Sequence, residues 1–326
     1  MSIFLNASLL ILGFIALIKG ADWFVDGSSS LAKTFKVPSV IIGLTIVALG
    51  TSAPELAVST SAAISGSNEI AFSNVLGSNM FNLLAVLGIC AMIKPIPIDR
   101  QIVKRDFPFS IVVTLGLLAY LLIKALTGNA NLSGSMLQNV GTVSRIASII
   151  LLLLFVGYLV FLITSALKNR NDAESNEEKT PVWKSVLFIV IGLICIVAGG
   201  QLVVNNAKDI AAALGMSETL IGLTIVAVGT SLPELVTSIV ASRKGENGLA
   251  VGNVVGSNIF NILLILGVSS TVHPVSVNLA SLYDLMILSI ISVVVFIFSK
   301  TKNINRIEGG ALVLIYIGEV VFSVLR

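Results

Sequence analysis

The sequence predicts an all-α polytopic membrane protein, with ten transmembrane helices arranged as two inverted-topology five-helix repeats. Three observations predict this fold: an apolar composition, ten long apolar segments and a duplicated stretch of sequence. Of the 326 residues, 56% are hydrophobic and only 11% are charged, and the mean hydropathy is +1.01. Soluble domains carry about 25% charged residues. The composition therefore excludes an ordinary soluble domain and favours a chain embedded in a bilayer.

Ten apolar segments approach the length of about 20 residues that a helix needs to cross a bilayer. They lie at about 3–32, 37–64, 69–92, 104–125, 144–167, 184–212, 218–242, 248–271, 281–299 and 307–325. The first segment has no charged leader region and no small-residue cleavage site, so we expect it to stay in the protein as a helix. The one long polar stretch, 168–183, separates a first half, 1–167, from a second half, 184–326. We expect this stretch to be a solvated linker.

The distribution of positive charge predicts how the chain crosses the membrane. With the N-terminus outside the cell, fifteen of the twenty Lys and Arg residues fall in cytoplasmic loops, and only four fall on the opposite side. Positive residues are enriched in cytoplasmic loops of membrane proteins. We therefore expect a multi-pass protein of the plasma (cell inner) membrane, with both termini outside and the central linker in the cytoplasm.

An internal repeat relates the two halves. Residues 43–88 align without a gap to residues 222–267 at a constant shift of 179, with 27 identities in 46 positions. The two copies are five spans apart, and because five is an odd number they cross the membrane in opposite senses. Inverted repeats of this kind are typical of secondary transporters, whose substrate sites lie near the bilayer midplane where the repeats meet.

The stretch GTSAPEL, residues 50–56, places polar groups inside a span. Pro54 lacks an N–H and interferes with the preceding helical turn, so we expect the helix to break near it. Irregular backbone at membrane depth is tolerated where it is buried in protein or lines a cavity, and an intramembrane carboxylate such as Glu55 indicates a functional site. Carboxylate, hydroxyl and carbonyl oxygens are the ligands that hard cations prefer. The polar residues of this stretch and of its second copy are Thr51, Ser52 and Glu55, and Thr230, Ser231 and Glu234.

A second motif follows in each copy, GSNMFN at 77–82 and GSNIFN at 256–261. Residues four apart share a helix face, so the serine and the last asparagine of each motif can point into one space. These residues are Ser78 and Asn82, and Ser257 and Asn261. The middle asparagines, Asn79 and Asn258, point elsewhere, and we expect them to pack or to bond to nearby backbone.

The doubled GTSxPEL and GSNxFN motifs resemble the two alpha-repeats of the cation/Ca2+ exchanger superfamily, in particular the compact prokaryotic sodium/calcium exchangers. The resemblance covers both halves of the chain. It implies an antiporter, not an enzyme, in which Na+ entry expels Ca2+ and the first and sixth spans slide against the core. It also implies an ion site without a cofactor, formed by Glu55, Glu234, Thr51, Thr230, Ser52, Ser231, Ser78, Ser257, Asn82, Asn261 and the carbonyls of Ala48 and Ala227.

Two other functions are compatible with intramembrane glutamates. A Ca2+/H+ exchanger would protonate the same pair, although proton-coupled branches of the superfamily have different acidic motifs. An intramembrane hydrolase would use Glu55 and Glu234 as acid and base. Metalloproteases with an HExxH motif and Ser-His hydrolases need a histidine at the site. The single histidine of this sequence, His273, lies outside the repeat. Beyond the transported ions and the lipid bilayer, the sequence indicates no nucleic acid and no obligate protein partner.

The predicted topology can be tested with single cysteines in a background without Cys90 and Cys195. We expect Ser175→Cys in the linker to react with a membrane-impermeant maleimide only after the inner face is exposed. A cysteine added after Arg326 should react in intact cells. Labelling of both positions from the same side would contradict the inverted repeat.

Overall fold

The structure is a computed structural model that describes residues 3–128, 130, 132, 134–168, 181–216, 227–301 and 303–325. Eight helices in these ranges are long and apolar enough to cross a membrane, and a bent pair, Ser39–Thr51 with Ala53–Ile64, forms a further candidate span. The predicted span 218–242 begins outside the described residues, which resume at 227. The all-helical membrane fold is thus confirmed, and the number of ten spans stays a prediction.

The helices of the first half follow the predicted segments closely. They are α1 (Ile3–Phe35), α2 (Ser39–Ile42), α3 (Ala48–Thr51), α4 (Ala53–Ile64), α5 (Asn68–Met80), α6 (Leu87–Ile93), α7 (Phe107–Thr127) and α8 (Arg145–Lys168). Three π-helical stretches extend them: Gly43–Val47 between α2 and α3, Phe81–Val86 between α5 and α6, and Ile102–Asp106 before α7. Such π-helical turns occur frequently at functional sites.

The second half repeats much of this pattern. Its helices are α9 (Val182–Ala213), α10 (Ala227–Thr230), α11 (Leu232–Arg243), α12 (Asn247–Phe260), α13 (Leu266–Val272), α14 (Leu279–Ser299) and α15 (Arg306–Leu325). A π-helical stretch, Asn261–Ile265, joins α12 to α13. The predicted linker 168–183 lies mostly outside the described residues, with α8 ending at its first residue and α9 beginning before its last.

Two short antiparallel sheets connect loops of the two halves. Strand β1 (Ile96–Pro97) pairs with β4 (Asn303–Ile304). Strand β2 (Asn139–Val143) pairs with β3 (Val275–Asn278), with an irregularity between Asn139 and Gly141. One sheet precedes α7 and the other follows it, so the halves are joined at both ends of that span.

Glycines bring α1 and α9 into close antiparallel contact. Going along α1, Gly13, Gly20 and Gly27 approach successively earlier positions of α9, near Gly199, Gly192 and Ser185. A Cβ at Gly20 would lie 2.8 Å from the carbonyl oxygen of Gly192. Small residues allow this approach between membrane helices. The two helices therefore form one tightly packed pair. Most of each helix is not buried in protein: of an apolar stretch of 18 residues, 22% is buried in α1 and 28% in α9.

The buried centre of the molecule consists of the two spans that carry the GSN motifs. In the span Asn247–Val272, 94% of an apolar stretch of 18 residues is buried in protein, and in Glu69–Ile93 the share is 78%. Large apolar side chains such as Phe72, Met80 and Phe260 are almost fully inaccessible there. The polar residues of the motifs are therefore held in protein, away from lipid.

The contact between α1 and α9 predicts a glycine-specific loss of stability. A Cβ at Gly192 would lie 2.6 Å from the backbone nitrogen of Phe24, whereas one at Gly157 in α8 would meet nothing within 4 Å. We expect Gly192→Val to lower the melting temperature in detergent, since overpacking costs about 1–3 kcal/mol. Gly157→Val is the matched control and should melt within about 2 °C of the unmodified protein. Equal melting of the two variants would contradict the close contact.

Candidate ion-binding site

Both copies of the GTSxPEL motif contain the expected helix break. Helix α3 ends at Thr51 and α4 begins at Ala53, and the two are bent by 48° at Ser52. Ser52 has φ −84° and ψ 7°, and Ser231, at the corresponding break between α10 and α11, has φ −94° and ψ 7°. Pro54 lies in the first turn of α4. An N–H group at that position has no acceptor within the helix, so proline costs no hydrogen bond there. The proline thus starts the new helix.

The two glutamates lie directly after these breaks. Glu55 is in the first turn of α4 and Glu234 is in the first turn of α11, and their exposed fractions are 0% and 1%. The first turn of a helix favours negative charge because unpaired N–H groups and the helix dipole point there. Neither carboxylate forms an ion pair within the described ranges. Two buried carboxylates without a cationic side chain require compensation from elsewhere.

Reciprocal hydrogen bonds hold the two breaks face to face. Ser52 Oγ donates to Glu234 Oε1 at 2.9 Å, and Ser231 Oγ donates to Glu55 Oε1 at 2.9 Å. Ser78 extends this arrangement, because its Oγ lies 3.0 Å from Ser231 Oγ and donates to Glu55 Oε1 at 3.5 Å. Each carboxylate is therefore fixed through one oxygen by a serine of the opposite repeat.

The remaining oxygens of the cluster are open. Among the described residues, six buried oxygen atoms of the predicted site have no hydrogen-bond partner: Glu55 Oε2, Glu234 Oε2, Thr230 Oγ1, Ser257 Oγ, Asn82 Oδ1 and Asn261 Oδ1. Buried acceptors without a partner are uncommon and need an explanation. Oxygens of this mixed kind are what a hard cation takes in place of its water shell. No group of three or more His, Cys, Asp or Glu side chains that could hold a metal ion occurs in the described chain, so the cluster combines two charges with neutral oxygens.

The other predicted residues lie on the segments that carry this cluster or next to them. Thr51 and Ser257 lie beside Glu234, and Asn261 donates from Nδ2 to Asn79 Oδ1 at 2.9 Å. The carbonyl of Ala48 accepts the backbone N–H of Ser52 at 3.0 Å. Ala227 is the first residue of α10. The structure thus brings the predicted residues to the two breaks and the helices that follow them, and their role as ligands stays a prediction.

Asn79 and Asn258 are buried and bond to backbone, as expected, but the backbone that they reach is not local. Asn79 Nδ2 donates to the carbonyl of Asn258 at 3.3 Å, and Asn258 Nδ2 donates to the carbonyl of Asn79 at 3.4 Å. These bonds cross between the repeats because α5 and α12 pass each other closely at the centre of the molecule. They tie together the two helices that carry the GSN motifs.

Sequence reasoning missed a further pair of asparagines. Asn74 donates from Nδ2 to Ser59 Oγ at 2.9 Å and to the carbonyl of Glu55 at 3.5 Å. Asn253 bonds in the same way, to Ser238 Oγ at 3.0 Å and to the carbonyl of the second glutamate at 3.4 Å. Each therefore attaches the helix after a break to the next span. The signal was available, since these asparagines and serines are identical in the two copies at the shift of 179.

A membrane-embedded pair of carboxylates, facing each other across two broken helices and surrounded by open oxygens, defines a carrier of small cations. The chain belongs to the sodium/calcium exchanger protein family, whose sequence model matches residues 5–164 and 184–325. The family expected from the doubled motifs is confirmed.

Full-length relatives agree with this assignment. CaxA of Alkalimonas amylolytica is 39% identical over 321 residues, which cover 94% of this chain and 95% of that protein. The sodium/calcium exchanger MaX1 of Methanosarcina acetivorans is 34% identical over 337 residues, which cover 96% of each chain. A solved structure of the sodium-calcium exchanger NCX_Mj matches with a TM-score of 0.82 at 32% identity, over 98% of this chain and 99% of that one.

The open carboxylate oxygens predict that Ca2+ stabilises the folded protein. A ligand at 100 times its dissociation constant adds about 2.7 kcal/mol to the stability, so the melting temperature should rise with Ca2+ concentration. Glu55→Gln and Glu234→Gln keep the volume but remove half of the negative charge, and each should abolish most of this rise. Asp26→Asn, which changes an acid that contacts Lys244 away from the cluster, should retain it. If the melting temperature of either glutamine variant rose with Ca2+ as much as that of the unmodified protein, that glutamate would not be part of the site.

Proposed function

We propose that this protein exchanges Na+ for Ca2+ across the membrane by alternating access, with the ions held near the bilayer midplane at the facing helix breaks. The observation that carries the proposal is the reciprocal pair of Ser–Glu contacts, which leaves one oxygen of each buried carboxylate open. Membership of the sodium/calcium exchanger family supports the choice of ions.

The charge of the site explains why the two ions would be coupled. Two carboxylates contribute a charge of −2, which one Ca2+ neutralises and which more than one Na+ can share. A site occupied by neither leaves like charges buried close together, which is unfavourable. Ca2+ and Na+ would therefore replace each other at the same oxygens, and release of one would follow binding of the other.

Helix directions support the proposed ten spans in two inverted repeats. Ser59 and Glu55 of α4 contact α5 at Asn74 and Ser78 respectively, so these two helices are antiparallel. Helix α12 instead runs parallel to the segment before the first break, because Gly252 approaches Val40 and Gly256 approaches Leu44. Helix α12 is the repeat counterpart of α5, and the two thus run in opposite directions. The excess of positive residues in the proposed cytoplasmic loops supports an orientation with both termini outside.

The hydrolase alternative has little support in the site. Acid and base catalysis needs a substrate path and a positioned nucleophile or water, whereas the glutamates contact serine hydroxyls of the opposite repeat. His273 is exposed, follows the end of α13 and contacts the carbonyl of Pro274. The proton-coupled alternative uses the same residues, and transport measurements separate it from Na+ coupling.

Ca2+ flux in proteoliposomes tests the proposal directly. We expect an imposed Na+ gradient to drive Ca2+ uptake, while a pH gradient of the same magnitude does not. The flux should persist when K+ is replaced by choline, because Asn261 offers an uncharged amide oxygen where a third carboxylate would add charge. Glu55→Gln and Glu234→Gln are the inactive controls. Uptake driven by the pH gradient alone would identify a Ca2+/H+ exchanger.

A further inference from the structure

One contact at the site is made in only one of the two repeats. Thr51 Oγ1 donates to Asn253 Oδ1 at 2.9 Å, linking the first break to α12. Under the shift of 179, the equivalent contact would join Thr230 to Asn74. Within the described part of the chain, Thr230 Oγ1 has no hydrogen-bond partner, although the repeat supplies the same residue types on both sides.

Burial differs in the same direction. Thr51 and Asn253 are both completely buried, whereas Thr230 and Asn74 are partly exposed. The serines that bond to these asparagines do not differ in this way, since Ser59 and Ser238 are both buried. The difference is therefore specific to the threonine and asparagine that meet in one repeat and not in the other.

The two pairs lie on opposite sides of the glutamates. Thr51 and Asn253 belong to the segments before the first break and before the second GSN motif, which run parallel and approach the site from the same end. Thr230 and Asn74 belong to the repeat counterparts of those segments and approach from the other end. The Thr51–Asn253 contact thus covers one end of the site, and the described residues make no equivalent contact at the other end.

Charged contacts occur at the covered end. Lys244, in the turn between α11 and α12, lies 3.4 Å from Asp22 Oδ1 and 2.7 Å from Asp26 Oδ1 of α1. This links the α1 and α9 pair to the core at the end where Thr51 meets Asn253. The repeat counterparts of these residues carry no charge: Ser65, Gln201 and Asn205.

We propose that Asn253 and Asn74 are positioning residues that close the two entrances in turn. In the conformation described here Thr51 donates to Asn253, and in the opposite conformation Thr230 donates to Asn74 while the Thr51 bond is broken. The inference rests on the proposed alternating access. Because one hydrogen bond replaces an equivalent one, the two conformations stay close in free energy. Loss of one bond should shift their populations by about fivefold.

Hydrogen–deuterium exchange of the full-length protein in lipid nanodiscs tests this inference. Asn253→Ala should raise exchange in Ser39–Thr51 and Asn247–Phe260, and should lower it in Asn68–Met80, where the opposite entrance closes. Asn74→Ala removes the bonds of Asn74 to Ser59 and to the carbonyl of Glu55 and should raise exchange locally in Asn68–Met80, but it should not raise exchange in Ser39–Thr51 and Asn247–Phe260. Ser238→Ala is the matched control, because it removes another side-chain bond of Asn253 and leaves the contact with Thr51.

The double variant distinguishes a switch from a structural role. Removing both asparagines removes one Thr–Asn bond from each conformation, so exchange in Ser39–Thr51 and Asn247–Phe260 should be lower in the Asn74→Ala, Asn253→Ala protein than in Asn253→Ala. If the two substitutions only weakened the structure, their effects on exchange would add instead. Added exchange in the double variant, or a rise in α12 without protection of α5 in Asn253→Ala, would overturn the inference.

A second substitution covers the case in which Asn253→Ala does not fold. Thr51→Val removes only the hydroxyl of the same bond and should produce the same opposite changes in the two regions, whereas exchange equal to that of the unmodified protein would overturn the inference. The exchange pattern is measured without ion gradients, so it is independent of which ions are carried. Failure of the Na+-driven flux and failure of this switch can therefore be told apart.

Discussion

The structure depends on the burial of two carboxylates that face each other, with no cationic side chain of the described residues paired to either. Glu55 and Glu234 are inaccessible, and each receives a hydrogen bond from a serine of the other repeat. An uncompensated pair of charges in this environment is strongly unfavourable. Under the proposed function a cation from solution compensates the pair, and this links the stability of the centre to ion binding.

The rest of the fold keeps these carboxylates in register. A helix break places each glutamate in the first turn of a new helix, and an asparagine of the following span holds the backbone carbonyl of that glutamate. The reciprocal bonds between Asn79 and Asn258 then fix the two GSN helices against each other. Each of these elements is repeated, so two polar clusters of the same chemistry meet at the centre of the molecule.

The periphery is built differently from the centre. Helices α1 and α9 pack on each other through glycines, and they contact the core through apolar side chains such as Phe24 and through the ion pairs of Lys244. Between this pair and the core lies an apolar crevice of about 340 Å³, lined by Phe24, Ile189 and Leu193 on one side and reaching Ser52 on the other. Tight packing within the pair and open space beside it are compatible with the pair moving as one body, as the proposed alternating access requires.

Composition, span lengths and the 179-residue shift were enough to predict the membrane class, the family and the residues of the two motifs. These are local properties: a proline breaks the helix in which it lies, and the residue types of a motif can be read directly from the sequence. Tertiary structure alone decided that Ser52 bonds to Glu234 and not to Glu55, and that Asn79 reaches Asn258. It also decided that Thr51 bonds to Asn253, while Thr230 Oγ1 has no partner among the residues that the structure describes. Such contacts depend on how the two repeats cross in space. A sequence of nearly identical copies cannot distinguish two geometries that its symmetry makes equivalent.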